Sequence, residues 1–233
     1  EYIALRRFIK SPWTFLRTRK DPIPGPHEDI AFRDGTSVRV RNVPQDRHIF
    51  HRIFARDEYR LGKAGGWDTV IDVGAHIGLF AVRAAPLARR VLCYEPDPEN
   101  FAMLEHNLRP FAHVVAARQA VAGRRGKVTL YRSDNPSAHS LVAGGLPLEV
   151  EAVALADVFA EHRVDRCDLL KLDCEGAEYE VLEAVPAGLW PRIRRIRMEY
   201  HAVEGWSAER LEKMLRERGH ACEVVPSKKP GKG

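Results

Sequence analysis

From Val70 onward, short apolar runs alternate with stretches in which apolar residues recur at helical spacing. That repeated switch predicts β-α-β units around a mostly parallel, doubly wound sheet, an α/β fold of the Rossmann-like kind. The runs place strands at Thr69–Asp72, Val91–Glu95, His113–Ala116, Leu169–Asp173 and Ile193–Glu199, with a last one at Ala221–Val225. Between the third and fourth, Lys127–Arg132 and Leu148–Leu155 read as an inserted strand pair joined by a polar loop at Ser133–Gly145. With no further run after Val225, a seventh strand is either missing or supplied by the insertion. Upstream, Ile3, Leu5, Phe8, Ile9, Trp13, Phe15 and Leu16 are interleaved with basic residues as in a short amphipathic helix broken near Pro12. Pro22, Pro24, Gly25 and Pro26 punctuate a linker, and Ser37–Arg41 (SVRVR) alternates like an exposed strand. The chain thus divides into a basic arm, linker and strand over 1–45, an α/β domain over 46–226, and a tail over 227–233 expected to be disordered.

Composition narrows the class. At 233 residues, 45% of them hydrophobic, the chain can bury one sizeable core. No run is long and apolar enough to span a membrane and no secretory signal is recognisable, so a cytoplasmic protein is expected. Residues 1–20 carry six basic residues against Glu1, which accounts for the whole net charge of +5 and leaves the remainder balanced. The basic character therefore belongs to the arm, and a nucleic-acid-binding face on the body is excluded. The arm is read as a helix packed on the domain, with docking to a membrane surface as the alternative. Cys93, Cys167, Cys174 and Cys222 are scattered without zinc-ligand spacing and are expected to be buried free thiols.

Ligands in an open parallel sheet bind beyond the carboxyl ends of the strands, and four of those ends are acidic here. The first is Asp72-Val73-Gly74-Ala75-His76-Ile77-Gly78, whose glycines allow a tight turn and a close ligand approach. Gly74 and Gly78 are four apart, unlike the G-x-G-x-x-G of dinucleotide binders, which argues against a nicotinamide oxidoreductase and suits a ligand without phosphate. The methionine part of S-adenosylmethionine (SAM) is such a ligand. Glu95, ending the second strand in Glu95-Pro96-Asp97, stands about 20 residues on, where a carboxylate can accept both ribose hydroxyl hydrogens. Asp72, Gly74, Ala75, His76, Gly78, Glu95, Pro96 and Ala120 are the candidate cofactor residues, Ala120 lying in a loop expected to flank the adenine.

The chain resembles the FkbM family of methyltransferases in four blocks: Val70–Phe80 (VIDVGAHIGLF), Tyr94–Phe101 (YEPDPENF), Leu170–Leu182 (LKLDCEGAEYEVL) and Ile196–His201 (IRMEYH). The third is the most specific, and Cys174 stands in it where an aliphatic residue is expected. Looser similarity runs from Phe54 to Val225 and takes in Glu58-Tyr59. The resemblance implies a class I methyltransferase fold, with methylation of a hydroxyl on a sugar, glycan or polyketide-type natural product.

The remaining strand ends supply candidate chemistry. Alternation would put Lys171, Asp173 and Glu175 on one side, and Glu199 and His201 on one side of the next strand. Asp173 is expected to orient or deprotonate an acceptor hydroxyl and also to border the cofactor, with Glu175 and Glu199 beside it and His201 as a general base. Lys171 reads either as part of that site or as an ion-pair partner for its carboxylates. Asp173, Glu199 and His201 could alternatively bind a divalent cation, although none is expected. Tyr59, His139 and Ser140 are candidate substrate contacts. SAM is the expected cofactor, S-adenosylhomocysteine its product, and a small molecule or saccharide the partner. N- or C-methylation and a non-catalytic SAM-binding module remain open, and the oligomeric state is not legible.

Overall fold

The computed structural model of the chain describes residues 1–18, 25–62, 65–132, 145–201 and 203–225. Pro22 and Pro24 of the linker, nearly all of the loop from Ser133, including His139 and Ser140, and the 227–233 tail lie outside those residues.

Five parallel strands form the central sheet. They are β3 (Trp67–Val73), β4 (Ala88–Tyr94), β5 (Val114–Ala117), β9 (Leu169–Leu172) and β10 (Ile196–Met198), in the order β10-β9-β3-β4-β5. The chain builds outward from β3 through β4 to β5, then returns to β3's other edge with β9 and β10. The reversal falls between β3 and β9, where such sheets open a crevice for ligands. This is the Rossmann-like α/β architecture.

Alternation along the strands explains how both faces are buried. Val70, Val91, Cys93 and Leu169 face one core, while their neighbours Ile71, Leu92, Leu170 and Leu172 face another. The first core is closed by α4 (Leu79–Ala84) and α5 (Pro98–Leu108), and by the N-terminal elements α1 (Tyr2–Leu5), α2 (Pro12–Thr18), β1 (His27–Ala31), β2 (Ser37–Arg41) and α3 (Pro44–Phe54). Leu5, Ile9 and Phe15 are almost fully buried there, so the helical part of the arm packs on the domain, while Trp13 and Ile3 stay exposed. The second core is closed by α6 (Leu155–Glu161), α7 (Glu178–Glu183) and α8 (Ala208–Glu217). Helix starts follow their sequence signals: Asp97 caps α5 by accepting the N–H groups of Glu99 and Asn100 at 2.9 Å ahead of Pro98, and Ser207 caps α8.

Four expectations need correction. Residues Ala221–Val225 form no strand: Val224 and Val225 are largely exposed and Glu223 reaches across to Arg60, so the segment runs past the sheet instead of pairing with it. The strand expected over Ile193–Glu199 shrinks to Ile196–Met198, with Ile193 held by an isolated bridge to Cys167. The insertion is a separate three-stranded sheet, in which β7 (Gly126–Arg132) and β8 (Leu146–Ala154) pair antiparallel and β6 (Ala120–Ala122), read as a loop, joins β8 in parallel. Of the cysteines, Cys93 and Cys167 are buried, but Cys174 and Cys222 are only half-buried; all four thiols are free. No helix of the described residues is long and apolar enough to cross a membrane.

The β1–β2 hairpin is fastened to the sheet by one buried amide. Asn107 of α5 accepts from the Arg39 N–H at 2.7 Å and donates to the Arg39 and Ile77 carbonyls at 2.9 and 2.8 Å. Asn107→Leu should therefore cost about 2–4 kcal/mol, because it leaves several backbone groups without partners. Urea unfolding should show a lower midpoint at unchanged slope.

Candidate active site

The crevice between β3 and β9 opens into a cavity of about 1130 Å³ among the described residues. Its floor is the turn after β3. Gly74 has φ +73, and a Cβ there would lie 1.9 Å from the Asp173 carbonyl oxygen, so only glycine lets the two strand ends meet. Gly78, at φ +86, is similarly closed off by Leu104. Lys171 pins the junction: its ammonium donates to the Gly74 carbonyl at 2.6 Å and the Val73 carbonyl at 3.2 Å, and lies 3.1 Å from Asp72 Oδ1. Burial alone would pull this ammonium's pKa down, but Asp72 and Asp173 outweigh it and the net shift is upward.

On the cavity wall, Glu95 is buried and accepts the His76 N–H at 2.8 Å and the Asp97 N–H at 3.0 Å. Burial raises its carboxyl pKa to about 7 despite those two donors. Pro96, Ala120 and Val121 continue the wall beside it.

Asp173, half-buried and one residue beyond β9, also lines the cavity. Its Oδ2 accepts from the Tyr59 hydroxyl at 3.0 Å, and burial pushes its pKa up, opposed by Lys171 and reinforced by Glu199. Tyr59 is itself buried, edge-on to Phe80, and its phenol is driven well above the ordinary range by burial and by Asp173. Arg52, also on the wall, pairs with Glu58 and, at 2.7 Å, with Glu199.

Behind Asp173, the turn into α7 is clasped by Glu178, which is fully buried and accepts the Cys174 and Gly176 N–H groups at 2.8 and 2.9 Å. His201 lies against this turn with Nδ1 3.1 Å from Glu178 and Nε2 3.1 Å from Glu175. A neutral imidazole has one N–H, so the ring can donate to both carboxylates only as the imidazolium.

With this geometry, residues 72–222 match the sequence model of the methyltransferase FkbM domain. The chain belongs to the FkbM methyltransferase family. It is 30% identical to a 31-O-demethyl-FK506 methyltransferase FkbM of Streptomyces tacrolimicus, the alignment covering 87% of this chain and 92% of that one. It is 28% identical to methyltransferase sdnD of Sordaria araneosa over 82% and 88% of the two chains. A 2-O-methyltransferase NoeI of Sinorhizobium fredii is 25% identical over 48% of this chain and 55% of its own.

Within this FkbM-family site, the cavity wall includes Tyr59, Gly74, Ala75, His76, Glu95 and Pro96, together with Ala120, Asp173, Glu175 and Glu199. Asp72 and Gly78 lie outside the wall: Asp72 is fully buried against Lys171, and Gly78 packs on Leu104. His201 is likewise behind it. Two geometric expectations fail because the strands end early. β9 stops at Leu172 and Glu175 turns at φ +52, so Lys171, Asp173 and Glu175 do not share a face through strand alternation. β10 stops at Met198, after which Glu199 goes to Arg52 while His201 goes to the Glu178 clasp. Among the described residues, the group whose ligand atoms lie close enough to hold a cation, within 4.8 Å of one another, is Asp173, Glu178 and His201, with Glu178 where Glu199 was expected.

Sequence reading missed Glu178 and Arg52. Glu178 sits in the most specific block, three residues after Glu175 at the start of a helix, where a carboxylate meets free N–H groups. Arg52 carries no local signal, since its partners lie 6 and 147 residues away.

The raised Glu95 pKa fixes a pH dependence. The folded state holds this proton more tightly than the unfolded chain, so the contribution is fully present below the ordinary glutamate value of 4.5 and is lost as pH rises to about 7. Between pH 5 and 8 the protein should lose up to about 3 kcal/mol of stability relative to Glu95→Gln, measured by urea unfolding of both at each pH.

Proposed function

We propose that the protein transfers a methyl group from SAM to a hydroxyl of a small molecule, a polyketide-type natural product or a saccharide. The observation that carries this reading is the placement of two carboxyl groups, the buried Glu95 and the half-buried Asp173, on the wall of one cavity that the Gly74 turn also lines. The residues present fit SAM: Gly74 and Ala75 bring backbone with little or no side chain to the cavity wall, Glu95 offers a carboxylate for a ribose diol, and Ala120 and Val121 offer an apolar edge to adenine. Bound SAM supplies a methyl group already activated on a sulfonium.

The chain's own residues then have three tasks. Glu95, held by the His76 and Asp97 N–H groups, would hold the ribose hydroxyls of the cofactor. Lys171 and Gly74 hold the two strand ends together, so that Asp173 borders the cofactor turn. Asp173, a stronger base than an exposed aspartate because burial raises its pKa, takes the acceptor hydroxyl proton. Tyr59 steadies the Asp173 carboxylate by donating to Oδ2, and Arg52 holds Glu199 alongside. His201, with both nitrogens turned to carboxylates, supports the loop that carries Asp173. Oxygen as the acceptor is supported by the names of two relatives, one an O-demethyl-FK506 methyltransferase and the other a 2-O-methyltransferase.

The test is transfer of labelled methyl from SAM to a panel of hydroxyl-bearing macrolides and saccharides, with the product identified by NMR. Asp173→Asn should lower kcat by about 10²–10⁴ while S-adenosylhomocysteine affinity stays within about threefold. Glu95→Ala should instead weaken S-adenosylhomocysteine binding about tenfold to a thousandfold. Methyl found on nitrogen or carbon would refute the hydroxyl assignment, and absence of SAM binding would refute the whole reading.

A further inference from the structure

A buried charge cluster upstream of the family match reaches into the turn that carries the cofactor residues. Arg41, the last residue of β2, pairs through Nε and Nη2 with both oxygens of Asp46 in the first turn of α3, at 2.9 and 3.0 Å. Asp46 is fully buried and also accepts the Arg41 backbone N–H at 3.0 Å. The same Nη2 lies 2.7 Å from Nε2 of His76. A guanidinium can only donate, so Nε2 is the acceptor and the imidazole is neutral with its proton on Nδ1. His76 stands at φ +52, an uncommon conformation for a residue with a side chain, and in that conformation its backbone N–H donates to Glu95 Oε2 at 2.8 Å. A continuous path therefore runs from Asp46 through Arg41 and the His76 ring to the Glu95 carboxylate.

We propose that Arg41 and Asp46 are positioning residues for cofactor binding, holding the His76 ring so that the His76 N–H stays on Glu95. The proposal rests on the reading of Glu95 as the ribose carboxylate. It assigns a role to residues outside the 72–222 match, and it makes the N-terminal hairpin a working part of the site. Among the described residues, these charged groups face the path. Glu95 faces Asp97, which is paired with Arg132 of β7 at 2.8 Å; His76 faces Arg41 and Asp46. Loss of the His76 donor would leave Glu95 with the Asp97 N–H and the long Asn100 contact, so its carboxyl would ionise at higher pH than in the parent.

The experiment uses the full chain with Arg41→Met and Asp46→Asn combined, so that no lone carboxylate is left buried. Arg41→Lys is the milder companion, able to pair with Asp46 without spanning to His76. Arg39→Ala, on the same strand but paired outward with Asp29, is the control. Two measurements are made: S-adenosylhomocysteine affinity by calorimetry from pH 6 to 9, and amide hydrogen exchange across Gly74–Gly78. Expected are about tenfold weaker binding for both Arg41 variants, an upward shift of the pH midpoint of binding, and faster exchange at His76. Arg39→Ala should match the parent within about twofold on both. Parental affinity, pH midpoint and exchange in the Arg41 variants would overturn the proposal. If the parent itself fails to bind S-adenosylhomocysteine, the cofactor reading fails, and the exchange arm still decides whether Arg41 holds the turn. If the double variant does not fold, Arg41→Lys carries the same two measurements.

Discussion

Contact between the ends of β3 and β9 is the constraint on which the rest of the site depends. The Gly74 backbone lies against the Asp173 carbonyl with no room for a Cβ, and the Lys171 ammonium bonds across the junction to the Gly74 and Val73 carbonyls. A buried cation is costly unless charges and dipoles around it replace water, and Asp72, Asp173 and two carbonyls do so here. The result is a rigid seam at the reversal point of the sheet. On one side the turn leads to His76 and Glu95; on the other it leads to Asp173 and Tyr59. Cofactor and acceptor chemistry can then be held in register by one backbone junction instead of by mobile loops.

Around that seam, the site uses buried carboxyl groups in different ways. Glu95 is raised to about 7 by burial, and the backbone N–H groups on it favour the ionised form, the form that accepts hydroxyl hydrogens. Asp173 is raised by burial among Glu199 and Glu178 and steadied by a phenol and an ammonium, as suits a group that takes up a proton. Glu178 forms bonds to the backbone and to His201, and so holds the Asp173 turn in shape without lining the cavity.

Much of this was legible in the chain because period and position carry it. The five central strands were recognisable as apolar runs, and Glu95, Asp173 and Glu199 after them were expected to meet at one crevice, since backbone topology forces strand ends together. Side-chain direction beyond a strand end was not legible. Alternation holds only while the ladder does, and β9 and β10 stop at Leu172 and Met198, which sends Glu175 and His201 to the Glu178 clasp and Glu199 to Arg52. The last expected strand failed for a related reason: Ala221–Val225 has the apolar residues of a strand, but its valines stay exposed and it joins no ladder. Contacts such as Arg41 to His76 and Arg52 to Glu199 join residues 35 and 147 apart, and only the folded hairpin and sheet reveal them.

In the proposed mechanism one cavity takes the cofactor beside Glu95 and the acceptor beside Asp173. The most direct measurement is a crystal structure of the protein with S-adenosylhomocysteine. The prediction is that the ribose hydroxyls bond to the Glu95 carboxylate and the sulfur lies toward Asp173 and Tyr59. A ribose held elsewhere, or a sulfur turned away from Asp173, would contradict it.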